Sequence, residues 1–320
     1  MSATMRAIVQ DSHGGPEVLR LAEVPKPVPL PTEILVRVHA AGVNPVDWKT
    51  RAGGGMAGVL GEPPFILGWD VSGVVEETGF GVTIFEPGDE VFGMPWFPRQ
   101  AGAYAEYVTA PSRQFARKPA TVGHAAAAGA PLAALTAWQA LVDTAAVASG
   151  QRVLIHAAAG GVGHLAVQIA RNAGAYVIGT ASAPKHDWLR SIGADEVIDY
   201  TTTRFEDAVR DVDVVIDLVG DGHDRTSTRS LEVLRPGGLL VAVPSGVAPD
   251  LIGRARERGV RATGILVEPD GPALARIAEL IDKGELDVEV EDVFPLADAA
   301  EAHRRGEQGR NRGKTVLNVT

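Results

Sequence analysis

The sequence predicts an α/β protein in which a doubly wound parallel sheet is joined to a second, β-rich domain. Residues from about 150 onward alternate between apolar strand patterns and helical patterns, whereas residues before about 120 form short strands between Gly and Pro. The length of 320 residues also exceeds what one hydrophobic core usually supports. Two domains are therefore expected.

Alternating polarity dominates the first third of the chain. Ile34, Val36 and Val38 alternate with polar or small neighbours, which is the period of a half-buried strand. Further strands are predicted at 71–75, 90–92 and 104–108. These segments indicate a compact, barrel-like domain, and an alanine-rich helical region follows from Ala120.

The second domain is expected to contain about six strands. They are predicted at 153–156, 175–181, 196–199, 213–218, 239–243 and 262–267. Because helical patterns separate several of them, the sheet is expected to be parallel, and six strands are typical of a doubly wound fold.

The last fifty residues depart from this alternation. A helix at 272–283, an acidic alternating stretch at 286–294, a short helix at 297–305 and a strand at 315–319 are predicted. They most economically rejoin the first domain, which gives the boundaries 1–119, 120–267 and 268–320. A ligand is expected between the two domains, because domain junctions favour binding.

Composition limits the functions that the chain is expected to have. The net charge of −10 argues against nucleic acid or an anionic membrane as partner, and the basic residues at 304–314 are interpreted as a solvated face. The start MSATMRAIVQ lacks the apolar core of a signal peptide, which predicts a cytoplasmic protein. The chain contains no cysteine, so disulfides, cysteine nucleophiles and thiolate-bound metals are excluded.

A glycine-rich turn follows the first strand of the second domain. Residues 151–163 read QRVLIHAAAGGVG, and a helical pattern continues from there. Gly160, Gly161 and Gly163 let the backbone turn sharply and approach a pyrophosphate, whose charge meets the amide groups at the helix N-terminus. Ala158 replaces the first glycine of the usual G-x-G-x-x-G spacing. The segment predicts a dinucleotide site, with a ligand-free glycine turn as the alternative. His156 and His164 flank the turn and are interpreted as structural residues.

The end of the next strand predicts the type of dinucleotide. A carboxylate there would bind the ribose 2′-hydroxyl of NAD, but the strand ends in Ala181 and Ser182, with Lys185 close behind. Ser182 and Lys185 suit a 2′-phosphate, one through its hydroxyl and one through its charge. The sequence therefore predicts NADP(H) over NAD(H), although Lys185 also suits an exposed helix start.

Several motifs together resemble a known superfamily. They are AGVNPVDWKTRAG at 41–53, PFILGWDVSGVVEETG at 64–79, FEPGDEVFG at 85–93, GAYAEYV at 102–108, LTAWQAL at 135–141, AAAGGVGHLAVQIARNAGAYVIGTAS at 157–182, GADEVIDY at 193–200, DLVG at 217–220, LRPGG at 234–238 and RGKTVL at 312–317. The chain is similar to zinc-free medium-chain dehydrogenases/reductases of the quinone oxidoreductase and enone reductase type. The resemblance implies a GroES-like catalytic domain, a Rossmann domain and a homodimer.

The resemblance also implies a set of cofactor-binding residues. The nicotinamide is expected near Asn44, Thr136, Val219, Pro244 and Ser245; the pyrophosphate near Gly160, Gly161 and Val162; the 2′-phosphate near Ser182, Lys185 and Tyr200; and Lys314 close to the cofactor cleft. Zinc-dependent relatives place a cysteine and a histidine at or near Asp47 and Asp70, so no metal is expected here.

The segment 44–49 is the predicted substrate-facing wall, with Asn44, Asp47 and Lys49 as catalytic candidates. Many quinone reductases of this type have a tyrosine where Lys49 stands. An ammonium at this place is expected to bind the substrate carbonyl oxygen and to share the charge that develops there during reduction. The alternative is an ion pair between Lys49 and Asp47 or a purely structural cation.

The predicted reaction is hydride transfer from NADPH to a quinone or to the C=C bond of an α,β-unsaturated carbonyl compound. Two other readings stay open. One is reduction of an enoyl thioester or a biosynthetic intermediate, and the other is a protein that binds NADPH with little turnover.

Overall fold

The computed structural model describes residues 3–222, 224–244 and 248–320. The chain forms two compact units. The first unit comprises Met1–Leu135, Glu268–Gly284 and Val288–Thr320, and the second comprises Thr136–Val267 and Glu285–Asp287. No helix in the described residues combines the length and the apolar character that a membrane span requires.

The first part of the chain is dominated by strands. Its strands are β1 (Thr4–Gln10), β2 (Leu19–Pro25), β3 (Glu33–Val43), β4 (Phe65–Ile66), β5 (Asp70–Thr78), β6 (Glu90–Gly93), β7 (Tyr107–Pro111) and β8 (Phe115–Arg117). Its helices are α1 (Pro45–Arg51), α2 (Ala57–Leu60), α3 (His124–Gly129) and α4 (Pro131–Trp138).

Strands and helices alternate in the middle of the chain. The strands are β9 (Arg152–Ile155), β10 (Tyr176–Ala181), β11 (Glu196–Asp199), β12 (Val212–Asp217), β13 (Leu234–Ala242) and β14 (Arg261–Gly264). The helices are α5 (Gly163–Asn172), α6 (His186–Ser191), α7 (Phe205–Ala208), α8 (Thr226–Ser230) and α9 (Leu251–Glu257). The chain ends with α10 (Gly271–Asp282), β15 (Val290–Pro295), α11 (Ala299–Glu307) and β16 (Lys314–Asn318).

Two sheets form the first unit. A small antiparallel sheet has the order β2-β1-β4, and a larger mixed sheet has the order β15-β16-β3-β5-β6-β8, with β7 paired to β3. The returning strand β16 lies antiparallel to β3, with Leu317 opposite Ala41. Ile34, Val71 and Leu317 belong to the buried core of this unit. The predicted return of the C-terminal segment to the first domain thus has a direct basis in strand pairing.

One parallel sheet forms the second unit. Its order is β11-β10-β9-β12-β13-β14, and every neighbouring pair is parallel. This is the doubly wound order, in which the order of the strands reverses between β9 and β12. Ligands bind outside the carboxyl ends of the strands at such a reversal. The predicted fold class, with its six-stranded parallel sheet, is confirmed.

Some predicted boundaries need correction. The second unit begins at Thr136 rather than at Ala120, because α3 packs on the first unit: a Cβ on Gly129 would lie 3.3 Å from Val288. The strand predicted at 104–108 begins only at Tyr107, because the backbone of Tyr104 pairs instead with Leu67 and Ile8.

Candidate active site

Helix α1 is held at its start by two residues of the predicted catalytic segment. Asn44 precedes the helix with an extended backbone, and Pro45 occupies the first helical position, where its missing N–H costs nothing. Asp47 lies in the first turn, and its Oδ2 accepts a hydrogen bond from the backbone N–H of Asn44 at 2.6 Å. The sequence Asn-Pro-Val-Asp thus fixes where α1 begins.

Asp47 is fully buried in the first unit. Its Oδ2 also accepts a hydrogen bond from the Tyr104 hydroxyl at 2.9 Å, whereas its Oδ1 has no partner among the described residues. Burial raises the pKa of Asp47 to about 7, although the Asn44 N–H and the Tyr104 hydroxyl both favour the ionised form. The carboxyl group is therefore poised to hold a proton near neutral pH.

A second buried group lies next to Asn44. The Asn44 side-chain amide donates to Asp70 Oδ2 at 2.8 Å, and its oxygen accepts from the Lys314 ammonium. Lys314 Nζ lies 3.6 Å from Asp70 Oδ2, and Asp70 Oδ1 accepts from the backbone N–H of Leu132 at 2.7 Å. Burial raises the pKa of Asp70 and lowers that of Lys314, and each group opposes the shift of the other.

The buried position of Lys314 corrects one interpretation. The sequence pattern predicts that Lys314 belongs to a basic solvated face, but its side chain is 3 % exposed and is held by Asp70 and Asn44. The neighbouring arginines do lie at the surface, where Arg305 pairs with Asp292 and Arg312 with Glu289. Arg305 lies on α11 and Arg312 precedes β16, whereas Lys314 is the first residue of β16.

Lys49 lies on α1 and is exposed. Its side chain forms no ion pair or hydrogen bond within the described residues, so the alternative ion pair with Asp47 does not form. Asp47 is two residues away, and residues at that spacing point to different sides of a helix. An exposed ammonium thus stands on a helix whose start is fixed by buried groups.

A chain of hydrogen bonds that sequence reasoning missed runs from Asp47 toward the surface. The Tyr104 hydroxyl lies 3.2 Å from His303 Nε2, and Arg51 lies 3.1 Å from His303 Nδ1. Because Arg51 can only donate, His303 Nδ1 accepts and its Nε2–H donates to Tyr104. Arg51 also pairs with Glu307 at 2.6 Å. Burial and the Arg51 charge lower the pKa of His303 to about 3, so the ring is neutral.

The glycine turn of the second unit lies between β9 and α5. Ala157 has a left-handed backbone, with φ at +50°. A Cβ on Gly163 would lie 2.3 Å from the Ala157 carbonyl oxygen, so only glycine allows this close contact. Within the described residues, the amides of Gly161 and Val162 have no carbonyl partner. Backbone N–H groups at a helix start are the donors that a pyrophosphate needs, and the turn therefore fits a dinucleotide.

The residues predicted for the 2′-phosphate lie after β10 and β11. Ser182 and Lys185 are half-buried, and Tyr200 is 62 % exposed. Ala181 lies opposite Asp199 in the neighbouring strand, a carboxylate that the sequence of β10 does not reveal. Asp199 accepts hydrogen bonds from the hydroxyl and the backbone N–H of Thr201, which lower its pKa. It is thus already engaged by the protein.

The segments predicted for the nicotinamide lie at the ends of β12 and β13. Asp217 ends β12, and its Oδ1 accepts from the backbone N–H groups of Val219 at 2.8 Å and Gly220 at 3.1 Å. A Cβ on Gly220 would lie 3.4 Å from Pro244, so the two strand ends are neighbours. Thr136 is buried at the start of this unit, and Ser245 falls outside the described residues.

Asp47 and Asp70 occupy the positions at or near which the resemblance implies a cysteine and a histidine in zinc-dependent relatives. Asp47 and Asp70 are engaged by Tyr104, Asn44 and Lys314, and an ammonium next to carboxylates competes with a cation. No group of three or more candidate ligands was found within the part of the chain that the structure describes.

Comparison with known proteins places this fold and these motifs in one superfamily. Residues 30–120 match the alcohol dehydrogenase GroES-like domain, and residues 192–317 match the zinc-binding dehydrogenase domain. The chain is 35 % identical to the mitochondrial NAD(P)H oxidoreductase RTN4IP1 of Mus musculus, covering 99 % of this chain and 90 % of that protein.

Two further relatives are of the predicted type. The chloroplastic NADPH-dependent alkenal/one oxidoreductase of Arabidopsis thaliana is 34 % identical over 98 % of this chain and 79 % of its own length. The quinone oxidoreductase structure from Coxiella burnetii has a TM-score of 0.94 and 40 % identity, covering 99 % of this chain and all of that one. The chain belongs to the medium-chain dehydrogenase/reductase superfamily, within the quinone oxidoreductase and enone reductase type.

Proposed function

We propose that this protein is an NADPH-dependent oxidoreductase that reduces quinones or the C=C bond of α,β-unsaturated carbonyl compounds. The glycine turn carries the proposal. Its amides at Gly161 and Val162, which have no carbonyl partner in the described residues, and the close contact at Gly163 suit a dinucleotide pyrophosphate. The names of the relatives support both the cofactor and the substrate class.

NADPH supplies the hydride when it is bound. The cofactor is proposed to be held by Gly160, Gly161 and Val162 at the pyrophosphate, by Ser182, Lys185 and Tyr200 at the 2′-phosphate, and by Thr136, Val219, Pro244 and Ser245 toward the nicotinamide. Ser182 and Lys185 favour NADPH over NADH through a hydroxyl and a positive charge.

Lys49 is proposed to act on the substrate. Its exposed ammonium has no ion-pair partner within the described residues, so it is available to a substrate carbonyl oxygen. There it would stabilise the negative charge that develops on oxygen as the C=C bond is reduced, and Lys49 or water would then protonate the carbon. Asn44, Asp47 and Lys314 are proposed to position α1. The Asp47 carboxylate accepts from the Asn44 backbone N–H and the Tyr104 hydroxyl. The Asn44 side chain bonds to Asp70 and Lys314.

The function is tested by following NADPH and NADH oxidation with a 1,4-quinone, a 2-alkenal, a cyclic enone and a crotonyl thioester. Rapid NADPH oxidation with the quinone, alkenal or enone is expected. Turnover of the thioester alone would favour the enoyl-thioester alternative. Binding of NADPH without any turnover would favour a biosynthetic substrate or a binding protein, and failure to bind NADPH would overturn the proposal.

The role of Lys49 predicts the effect of removing its charge. Lys49→Met is expected to lower kcat by about 100-fold with little change in the dissociation constant of NADPH, because the charge acts on the developing oxyanion. Lys283→Met is the matched control, since Lys283 is also an exposed lysine at the end of a helix. An unchanged kcat in Lys49→Met would show that Lys49 has no catalytic role.

The protein is further proposed to be a homodimer. Strand β14 lies at the edge of the parallel sheet, so one side of its backbone is open to pairing. Leu266, just beyond β14, is 55 % exposed. Cytoplasmic localisation stays a prediction, since RTN4IP1 is named as mitochondrial.

A further inference from the structure

A buried histidine in the second unit connects two segments of the proposed cofactor site. His156 directly follows β9 and is 1 % exposed. Its Nε2 lies 2.9 Å from Ser230 Oγ, and its Nδ1 lies 3.3 Å from Thr180 Oγ1. The proposed reaction does not use this ring, and its edge packs on Phe205 with the ring centroids 4.5 Å apart.

The direction of each hydrogen bond follows from its neighbours. The Ser230 hydroxyl donates to the Thr226 carbonyl oxygen at 2.7 Å, so its oxygen accepts from His156 Nε2–H. Nδ1 of the neutral ring is then an acceptor, and it receives the Thr180 hydroxyl hydrogen. Burial lowers the pKa of His156 to about 4, which keeps the ring neutral. One tautomer therefore satisfies both ring nitrogens.

On one side the network reaches the glycine turn. The oxygen of Thr180 accepts a hydrogen bond from the backbone N–H of Ala157 at 3.2 Å. The Ala157 carbonyl oxygen in turn accepts from Gly160 N–H at 3.0 Å and lies against Gly163. The Thr180 hydroxyl thus holds Ala157, whose carbonyl oxygen contacts two glycines of the turn.

On the other side the network reaches the loop after β12. Ser230 lies on α8, and Ser227 of the same short helix donates its hydroxyl hydrogen to Asp217. Asp217 holds the backbone N–H groups of Val219 and Gly220. The Cβ positions of Gly220 and Pro244 are neighbours, so this loop lies where β12 and β13 end.

We propose that His156 is a positioning residue that holds the glycine turn at Ala157–Gly163 and the loop at Val219–Gly220 in the arrangement that receives the pyrophosphate and the nicotinamide. This inference rests on the proposed function, which assigns those two segments to NADPH. The two hydrogen bonds, to Thr180 and to Ser230, distinguish His156 from a core residue that only fills space.

The inference is tested with two variants and two ligands. His156→Leu removes both hydrogen bonds, whereas His156→Gln keeps one donor and one acceptor. The dissociation constants of NADPH and of adenosine 2′-phosphate are measured by isothermal titration calorimetry. Adenosine 2′-phosphate is the reference ligand, because the residues proposed to bind it, Ser182, Lys185 and Tyr200, lie on other loops.

His156→Leu is expected to bind NADPH about tenfold more weakly, since it lacks two buried hydrogen bonds, and to bind adenosine 2′-phosphate as the wild type does. His156→Gln is expected to recover most of the NADPH affinity. If His156→Leu does not fold, Thr180→Val takes its place and is expected to show the same separation between the two ligands.

Two results would overturn the inference while leaving the proposed function intact. One is unchanged NADPH affinity in His156→Leu, and the other is an equal loss for both ligands, which would indicate general damage to the unit. If the wild type bound no NADPH at all, the proposed function itself would fail, and the inference with it.

Discussion

Asp47 combines full burial with a carboxylate oxygen that has no partner in the described residues. Its pKa is about 7 in the folded protein against 3.8 as the ordinary value. Between these pH values the folded state holds a proton that the unfolded state has lost. The free energy of unfolding therefore falls as pH rises from about 4 to 7.

Asp47→Asn is expected to flatten this pH dependence. The amide oxygen can accept the two hydrogen bonds of Oδ2, and the amide nitrogen then lies where Oδ1 has no partner. The free energy of unfolding is measured by urea titration at pH 4 to 8. Its decrease over this range should be smaller in Asp47→Asn than in the wild type, by at most about 4 kcal/mol. Asp298→Asn is the control, since Asp298 is exposed. An unchanged slope in Asp47→Asn would show that the pH dependence does not come from Asp47.

Lys185 is proposed to determine cofactor choice. Lys185→Ala is expected to raise KM for NADPH about tenfold and to leave KM for NADH nearly unchanged, because only NADPH carries the 2′-phosphate. Initial rates at varied cofactor concentration measure the effect, with Lys283→Ala as the control. An equal rise for both cofactors would show that Lys185 does not recognise the 2′-phosphate.

Individual residues differ in how far the sequence predicted them. The glycines at 160–163 were predicted, because a local turn needs local residues. The hydrogen bond between Tyr104 and Asp47 was not, since these residues are 57 positions apart and meet only when α1 and the segment before β7 fold together. The same holds for Lys314, whose buried partner Asp70 lies on another strand of the same sheet.

At the scale of elements, the junction between β9 and α5 has little room for an added side chain. A Cβ on Gly163 would lie 2.3 Å from the carbonyl oxygen of Ala157 and 2.7 Å from the Cα of Ala158, both of them backbone atoms. Backbone cannot rotate away as a side chain can. The helix and the turn would have to separate.

Gly163→Ala is therefore expected to lower the free energy of unfolding by about 2 kcal/mol and to weaken NADPH binding. Gly253→Ala in α9 is a matched control, because a Cβ there meets no atom within 4 Å. That control is expected to raise the free energy of unfolding by about 0.5–1 kcal/mol. Urea unfolding and NADPH titration measure both variants, and wild-type behaviour of Gly163→Ala would contradict the tight contact.

Strand and helix positions were predicted best where the pattern was long and regular. The six strands of the parallel sheet all appear, because buried parallel strands are continuous apolar runs. β1 and β2 were not predicted, since β2 has no buried residue and the alternation of β1 ends in a run of four buried residues.

At the scale of the whole molecule, the edge strand β14 is the proposed site of contact between two copies of the chain. If two copies meet at this edge, Leu266→Glu is expected to give monomers, because it places a charge on an apolar contact. Ile252→Glu is the control, since Ile252 is 51 % exposed but lies on α9. Light scattering after size-exclusion chromatography measures the mass, and dimers of Leu266→Glu would exclude this edge as the interface.

The alanine at position 157 has a consequence for the thermodynamics of binding. A left-handed backbone costs an alanine about 1–2 kcal/mol, whereas glycine adopts it without strain. Glycine, however, would also leave the empty turn free to sample many other conformations. With alanine, the left-handed backbone is already fixed before any ligand binds. The proposed dinucleotide site is therefore preorganised, and binding costs little conformational entropy of the turn.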